Sequence, residues 1–96
     1  MKRDIKHLFE TIYESDSDAI FRFCLIRVSD REQALDITQE VFVRLWQTLG
    51  KGEELSNHRA FIFKVAHNLV IDWYRKKKSL SLEKIIESKE DQDYEF

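Results

Sequence analysis

Proline is absent from these 96 residues, and glycine occurs only twice, at Gly50 and Gly52. So few backbone breakers argue against the many-turned β-sandwiches and barrels, and strand-like alternation over four or more residues is hard to find. Cysteine occurs once, at Cys24 among apolar neighbours, which rules out an internal disulfide or a cysteine-rich metal site and suits a small core residue. His7, His58 and His67 stand at no ligand spacing from one another or from Cys24, so neither a metal nor a cofactor is expected. No apolar run reaches membrane-spanning length. The segment MKRDIKHLFE lacks the apolar middle of a secretory signal, and a cytoplasmic location is expected. There is no Gly-rich phosphate loop, Ser/His/Asp set or paired-carboxylate arrangement, so an enzyme is not expected.

What is present is helical periodicity. A hydrophobic content of 43%, with 12% aromatic, is enough for one compact core in a single small domain. The most informative stretch is Ala34–Leu49, ALDITQEVFVRLWQTL. On a helical wheel Ile37, Val41, Ala34, Leu45, Leu49, Phe42, Leu35 and Trp46 fill one half, interrupted only by Thr38. The other half carries Gln39, Val43, Asp36, Gln47, Glu40 and Arg44. Ser29-Asp30-Arg31-Glu32 reads as a capping box ahead of this helix, and Gly50 stands where a left-handed C-terminal residue is wanted. The carboxylate and amide strip Asp36-Gln39-Glu40, with Val43 exposed in its middle, is a candidate docking surface. The blander alternatives are a solvated face and a local Glu40–Arg44 pair.

Upstream, Ile5, Leu8, Phe9, Ile12 and Tyr13 give a first amphipathic helix. Glu14-Ser15-Asp16-Ser17-Asp18 is rich in capping residues and poor in helix formers, which predicts a break or a frayed turn. Ala19–Val28 predicts a second helix, apolar on most sides through Ile20, Phe21, Phe23, Cys24, Leu25 and Ile26, and therefore central in a bundle. Gly50–Ser56 reads as a loop, and Ser56 or Asn57 caps a fourth helix running to about Lys78. Beyond it, Leu80, Leu82, Ile85 and Ile86 suit a last short docked helix, while Ser88–Phe96 reads as an acidic linker or tail. The fold class expected is all-α, a small bundle of about four helices.

The net charge of −2 conceals an asymmetry: residues 1–78 carry fourteen Lys/Arg against twelve Asp/Glu, and residues 79–96 carry two against six. Asn57–Lys78 alone holds six basic residues and one acid. On the wheel of that helix Ile62, Val65, Ala66, Leu69, Val70 and Trp73 form the core stripe. Opposite lie Lys64, Asn68, Ile71 and Arg75, with His67 and Lys78 flanking and Phe61 at the border. The cluster Arg75-Lys76-Lys77-Lys78 at the expected C-terminus has a plain explanation in the helix dipole. That explanation does not reach Lys64 and Asn68. A basic, amide-bearing face with a bordering aromatic suits backbone and base contact with single-stranded nucleic acid.

At these residues the chain resembles a known family. Asp36-Ile37-Thr38-Gln39-Glu40-Val41-Phe42-Val43-Arg44-Leu45-Trp46 resembles the D-L-x-Q-E-x-F-x-x-L-W signature of bacterial sigma factors. The segment from Phe61 to Lys78, FIFKVAHNLVIDWYRKKK, resembles the W-L-x-R-I-A-x-N-x-x-x-D-x-x-R-R segment that follows it. Order and spacing agree with the extracytoplasmic-function group of the sigma-70 family, over about Phe9 to Lys78. The resemblance implies a region-two helical domain over residues 1–78 and an acidic linker over 79–96. These residues are expected to end before the region-four domain that reads the minus-thirty-five element.

The resemblance also implies roles. Asp36, Gln39, Glu40, Val43 and Gln47 match the surface that docks on the clamp helices of the largest subunit of core RNA polymerase. Lys64, His67, Asn68, Ile71, Arg75, Lys76, Lys77, Lys78 and Phe61 match the segment facing the single-stranded, non-template minus-ten element of promoter DNA. The loop Gly50, Lys51, Gly52, Glu53, Glu54, Leu55, Ser56 and Asn57 matches the base-selecting loop, which works with the Asn to hold a flipped-out base. Asp72 matches an acidic position read as structural. An anti-sigma factor is a further partner expected from the group. Phe61 replaces the usual Trp and Lys64 the common Arg; both keep the chemical class, although Lys cannot make a bidentate phosphate contact. Two rival readings remain: a helical protein-interaction adaptor without nucleic-acid binding, and a duplex reader. The latter lacks a short Gly-containing turn at helix-turn-helix spacing.

Overall fold

The computed structural model describes the backbone of residues 4–92 and side chains as far as Lys78. Three helices, not about four, build the fold: α1 (Ile5–Val28), α2 (Arg31–Gly50) and α3 (His58–Gln92). They run up, down and up, so that α1 and α3 point the same way.

The expected break at Glu14–Asp18 does not occur, because α1 passes through it uninterrupted. Four poor helix formers, Ser15, Asp16, Ser17 and Asp18, cost up to about 0.7 kcal/mol each. Against that stands one buried stripe, Ile12, Asp16, Ile20, Cys24 and Val28, at successive spacings of four. A break at residues 14–18 would put Ile12 and Ile20 out of register, and tertiary burial overrides local propensity. Asp16, read as a turn residue, is instead buried and accepts from the Arg59 guanidinium at 2.6 Å. The Ala19–Val28 segment is less central than its composition suggests: Ile26 is 74% exposed.

The α1–α2 link is two residues long. Ser29, the expected helix cap, is instead the left-handed C-cap of α1 at φ 55°, its N–H donating to the Leu25 carbonyl at 2.8 Å. Asp30 is the N-cap of α2 and accepts from the Gln33 N–H at 3.1 Å. Such a tight turn folds α2 back along α1. Aromatic edges close the seam, with Phe9 against Trp46 at 5.3 Å and Tyr13 against Phe42 at 4.9 Å between ring centroids.

The centre of the core is Ile20, Cys24, Val41, Leu45 and Ile62, all fully buried. Thr38, the polar interruption in the α2 stripe, is buried there and donates to the Ala34 carbonyl at 2.7 Å, which satisfies its hydroxyl within its own helix. The apolar arc of α2 is narrower than expected, since Leu35 and Trp46 remain nearly half exposed. Burial pushes the Cys24 thiol above its ordinary pKa, against weaker lowering by a hydrogen bond with Thr38 and by the charge of Arg27, which keeps it protonated and unreactive at neutral pH.

Asn57, of the two caps considered, starts α3: its Oδ1 accepts from the Ala60 N–H at 2.9 Å. Ile62, Ala66 and Val70 are buried, while Val65, Leu69 and Trp73 pack half-buried against the core. The indole N–H of Trp73 donates to Gln33 on α2 at 3.2 Å, and the Tyr74 hydroxyl donates to the Arg27 carbonyl on α1. The helix does not close at Lys78 but continues to Gln92. The expected docking of Leu80, Leu82, Ile85 and Ile86 involves side chains outside the described residues, as do the last four residues of the expected tail.

This packing fixes a testable contrast on α3. Ile62→Ala removes a fully buried side chain and is expected to cost about 2–5 kcal/mol in thermal or urea unfolding. Ile71→Ala, on the exposed face, is expected to cost less than about 1 kcal/mol. Equal losses would mean that α3 is rotated from the phase described.

Candidate nucleic-acid and polymerase interface

The stripe Ile62–Ala66–Val70 points inward, so the opposite side of α3 points out. Lys64, His67, Asn68, Ile71, Arg75, Lys76, Lys77 and Lys78 are all exposed, and Phe61 is half-buried. From Lys64 to Arg75 this face extends about 16 Å, at 1.5 Å per residue. The dipole explanation for Arg75–Lys78 fails here, since these cations lie mid-helix, more than three turns before Gln92. Their local partners are modest. Arg75 lies 3.9 Å from Asp72, a contact between exposed groups, and the Lys77 ammonium sits 4.9 Å from the Trp73 ring. Among the described residues, Lys64, Lys76 and Lys78 make no ion pair.

On α2 the strip Asp36, Gln39, Glu40, Val43 and Gln47 is exposed throughout. Glu40 accepts from Arg44 at 3.1 Å, so the local pair anticipated from the spacing does form. Both partners are about half exposed, and a pair of this kind contributes only about 0.3–0.5 kcal/mol. Beside the strip, Val43 and Trp46 leave apolar surface open, and Tyr13 adds to it from α1.

The loop between α2 and α3 overhangs a cleft of about 820 Å³. Its apolar lining comes from Ile5 and Leu8 of α1 with Leu49 and Leu55, and its polar lining includes Lys51, Glu53, Glu54 and His58. Gly50 belongs to α2 and does not take the left-handed conformation expected of it; Gly52 does, at φ 83°, its N–H donating to the Leu49 carbonyl at 3.0 Å. Ser56 and Asn57 are exposed at the downstream end. Asn68 and Lys64 do not line the cleft. Asn68 lies ten residues beyond His58, about 15 Å along the helix. Ile5, Leu8 and His58 were not singled out as site residues by sequence reasoning, because their role depends on tertiary adjacency of segments some fifty residues apart. Among the described residues no group of three His, Cys, Asp or Glu side chains is placed to hold a metal ion, and no helix is long and apolar enough to cross a membrane.

Comparison with known proteins places this geometry among relatives. The family model described as Sigma-70 region 2 matches residues 12–80. The chain is 25% identical over 76 residues to the ECF RNA polymerase sigma factor SigX of Bacillus subtilis, covering 79% of this chain and 39% of that protein. It is 33% identical over 66 residues to the ECF RNA polymerase sigma factor SigL of Mycobacterium tuberculosis, covering 68% and 37%. It is 28% identical over 78 residues to the ECF RNA polymerase sigma factor SigW of Bacillus subtilis, covering 81% and 42%. The chain thus spans about two fifths of the length of these curated relatives.

The two glycines of the loop give opposite expectations. Gly52→Ala meets no neighbouring atom but forces a left-handed alanine, and is expected to cost about 1 kcal/mol. Gly50→Ala, equally unobstructed and helical, is expected to stabilise by about 0.5 kcal/mol. Thermal melts of the two variants measure this, and a shift of the same sign in both would contradict the loop conformation.

Proposed function

The chain belongs to the Sigma-70 region 2 family, and from that premise we propose that it is the promoter-recognition domain of an extracytoplasmic-function sigma factor. The family is non-enzymatic, so its work is done by binding. In this reading residues 1–78 form the working domain and 79–96 the linker toward region four. The chain acts in the cytoplasm, docked on the clamp helices of core RNA polymerase, and an anti-sigma factor acts by covering one of its faces.

The observation that carries the reading is the outward face of α3, where Lys64, Asn68 and Arg75 are exposed together on a helix whose opposite stripe is buried. Cations meet phosphates without regard to sequence, whereas an amide can donate to and accept from a base edge. The cleft complements this face. Its lining joins apolar Ile5, Leu8, Leu49 and Leu55 with Glu53 and Glu54, which outnumber the one lysine, Lys51, and this balance favours a neutral base there over the phosphate backbone. A strand laid along α3, with one base turned into the cleft and bases about two or three nucleotides further on near Asn68, uses both features. Capturing a base is worth about 1–3 kcal/mol, enough to bias a melting equilibrium but not to open duplex unaided. Polymerase is therefore needed, and the strip Asp36, Gln39, Glu40, Val43 and Gln47 serves as the surface that recruits it. An adaptor that used the same strip but bound no nucleic acid would leave the α3 face without a role.

One set of variants tests both faces. Asn68→Ala is expected to lower sequence preference among single-stranded oligonucleotides at the positions that lie against it, while Lys64→Ala and Arg75→Ala lower affinity for every sequence. With three or four cations engaged, log affinity is expected to fall against log salt with a slope of roughly −2 to −3. Glu40→Lys is expected to keep its helical signal, leave oligonucleotide binding alone and weaken retention by core polymerase about ten-fold or more. Equal weakening of all oligonucleotides by Asn68→Ala would remove the base-reading role.

A further inference from the structure

Asp16 and Arg59 form the one ion pair among the described residues that joins two helices. The Asp16 side chain is 9% exposed and accepts from both Arg59, at 2.6 Å, and the Ser15 hydroxyl, at 3.0 Å. Arg59 is more than half exposed, and its guanidinium lies 5.0 Å from the Phe63 ring centre. Its position is electrostatically awkward. It is the second residue of α3, where the helix dipole disfavours a cation, and no acidic side chain in that first turn offsets it. Asp16, reaching across from α1, supplies the missing carboxylate.

The consequence lies next door, in the cleft. His58 immediately precedes Arg59 and lines the cleft together with Leu55, while Ile5 and Leu8 line it from α1, on the same side of that helix as Asp16 and about three and two turns before it. Between these walls hydrogen bonds hold the loop at its ends, from the Gly52 N–H to the Leu49 carbonyl and at the Asn57 cap, and Leu55 packs half-buried against the core. Among the described residues, 53–56 make no backbone hydrogen bond of their own. The distance between the two walls depends on where α3 begins relative to α1, and in the first turn of α3 the ion pair joins the buried Ile62 and the Phe63–Phe23 contact in tying the two helices together.

We propose that Asp16, acting through Arg59, is a positioning residue for base selection: the pair locks the first turn of α3 to α1 and fixes the width of the cleft. The inference rests on the reading of that cleft as the base-capturing site. Neither residue need touch DNA. A cleft whose walls are free to part admits any base, so its selectivity is lost before its affinity.

The test uses the full chain bound to core polymerase and a pool of randomised single-stranded deoxyoligonucleotides, with the selected motif read by sequencing. Wild type selects a motif. Asp16→Asn and Arg59→Gln are expected to lower preference at one position of that motif by about five-fold or more, leaving the other positions, polymerase retention and helical signal unchanged. A merely structural role would lower all positions together. Failure of the wild type to select any motif sinks the base-capture reading itself; a wild-type motif that survives in Arg59→Gln sinks only the positioning role. Should Asp16→Asn unfold the chain, the more exposed Arg59→Gln decides alone, and unfolding there too would overturn the proposal, since the pair would then hold the bundle and not the cleft. If Asp16→Asn instead raises affinity for every sequence with the motif intact, Arg59 is a phosphate contact restrained by Asp16, and the proposal is again overturned.

Discussion

A helix bound to a core has one rotational phase, and most of what this domain does depends on the phase of α3. Ile62, Ala66 and Val70, buried at spacings of four, hold that phase. Moving α3 by one residue would turn it by about 100° and carry Lys64 and Asn68 toward the core, where an unpaired ammonium is costly. The same stripe that supplies stability therefore dictates which residues face outward, and with them the face proposed to meet DNA. Links at three levels along the helix support it: Arg59 to Asp16, Phe63 against Phe23, and Trp73 to Gln33.

The surface divides its charge in a way that suits differential binding. Positive charge runs along α3, Glu53 and Glu54 outnumber Lys51 in the cleft, Asp36 and Glu40 outnumber Arg44 on the outer face of α2, and uncovered apolar side chains lie at the α2 strip. A polyanion is attracted to one face and discouraged from the other two, which the proposed function gives to a base and a protein. None of these surfaces is strong alone. In the proposed function a few phosphate contacts and one captured base supply a few kcal/mol, below what opening several base pairs requires, so that function needs the two binding events coupled through polymerase.

Much of this was legible in the amino-acid sequence, and the misses share a cause. The phases of α2 and α3 could be read because each carries a long apolar stripe, and periodicity reports burial directly. Glu14–Asp18 misled because propensity is local, whereas the helix there is held by Ile12 and Ile20 on either side and by an arginine 43 residues away. At Ser29–Asp30 the capping chemistry was visible, but not which residue ended one helix and which began the next. At Gly50–Gly52 the left-handed residue was displaced by two. The basic cluster looked like a helix end because the apolar stripe weakens after Trp73, although the backbone continues to Gln92. Of the cleft only the loop side, Gly50–Leu55, was marked in the sequence; Ile5 and Leu8 read as ordinary core residues until α1 and the loop are set side by side.

The central claim is that opened DNA is bound better than closed DNA. The most direct measurement compares one promoter fragment, recovered from a random pool by the chain in complex with core polymerase, in two forms: fully paired, and with its minus-ten region held open by a non-complementary template strand. The account predicts tighter binding of the pre-opened form, by about ten-fold or more, because the energy of base capture is then no longer offset by unpairing. Equal affinity for the two forms would contradict it.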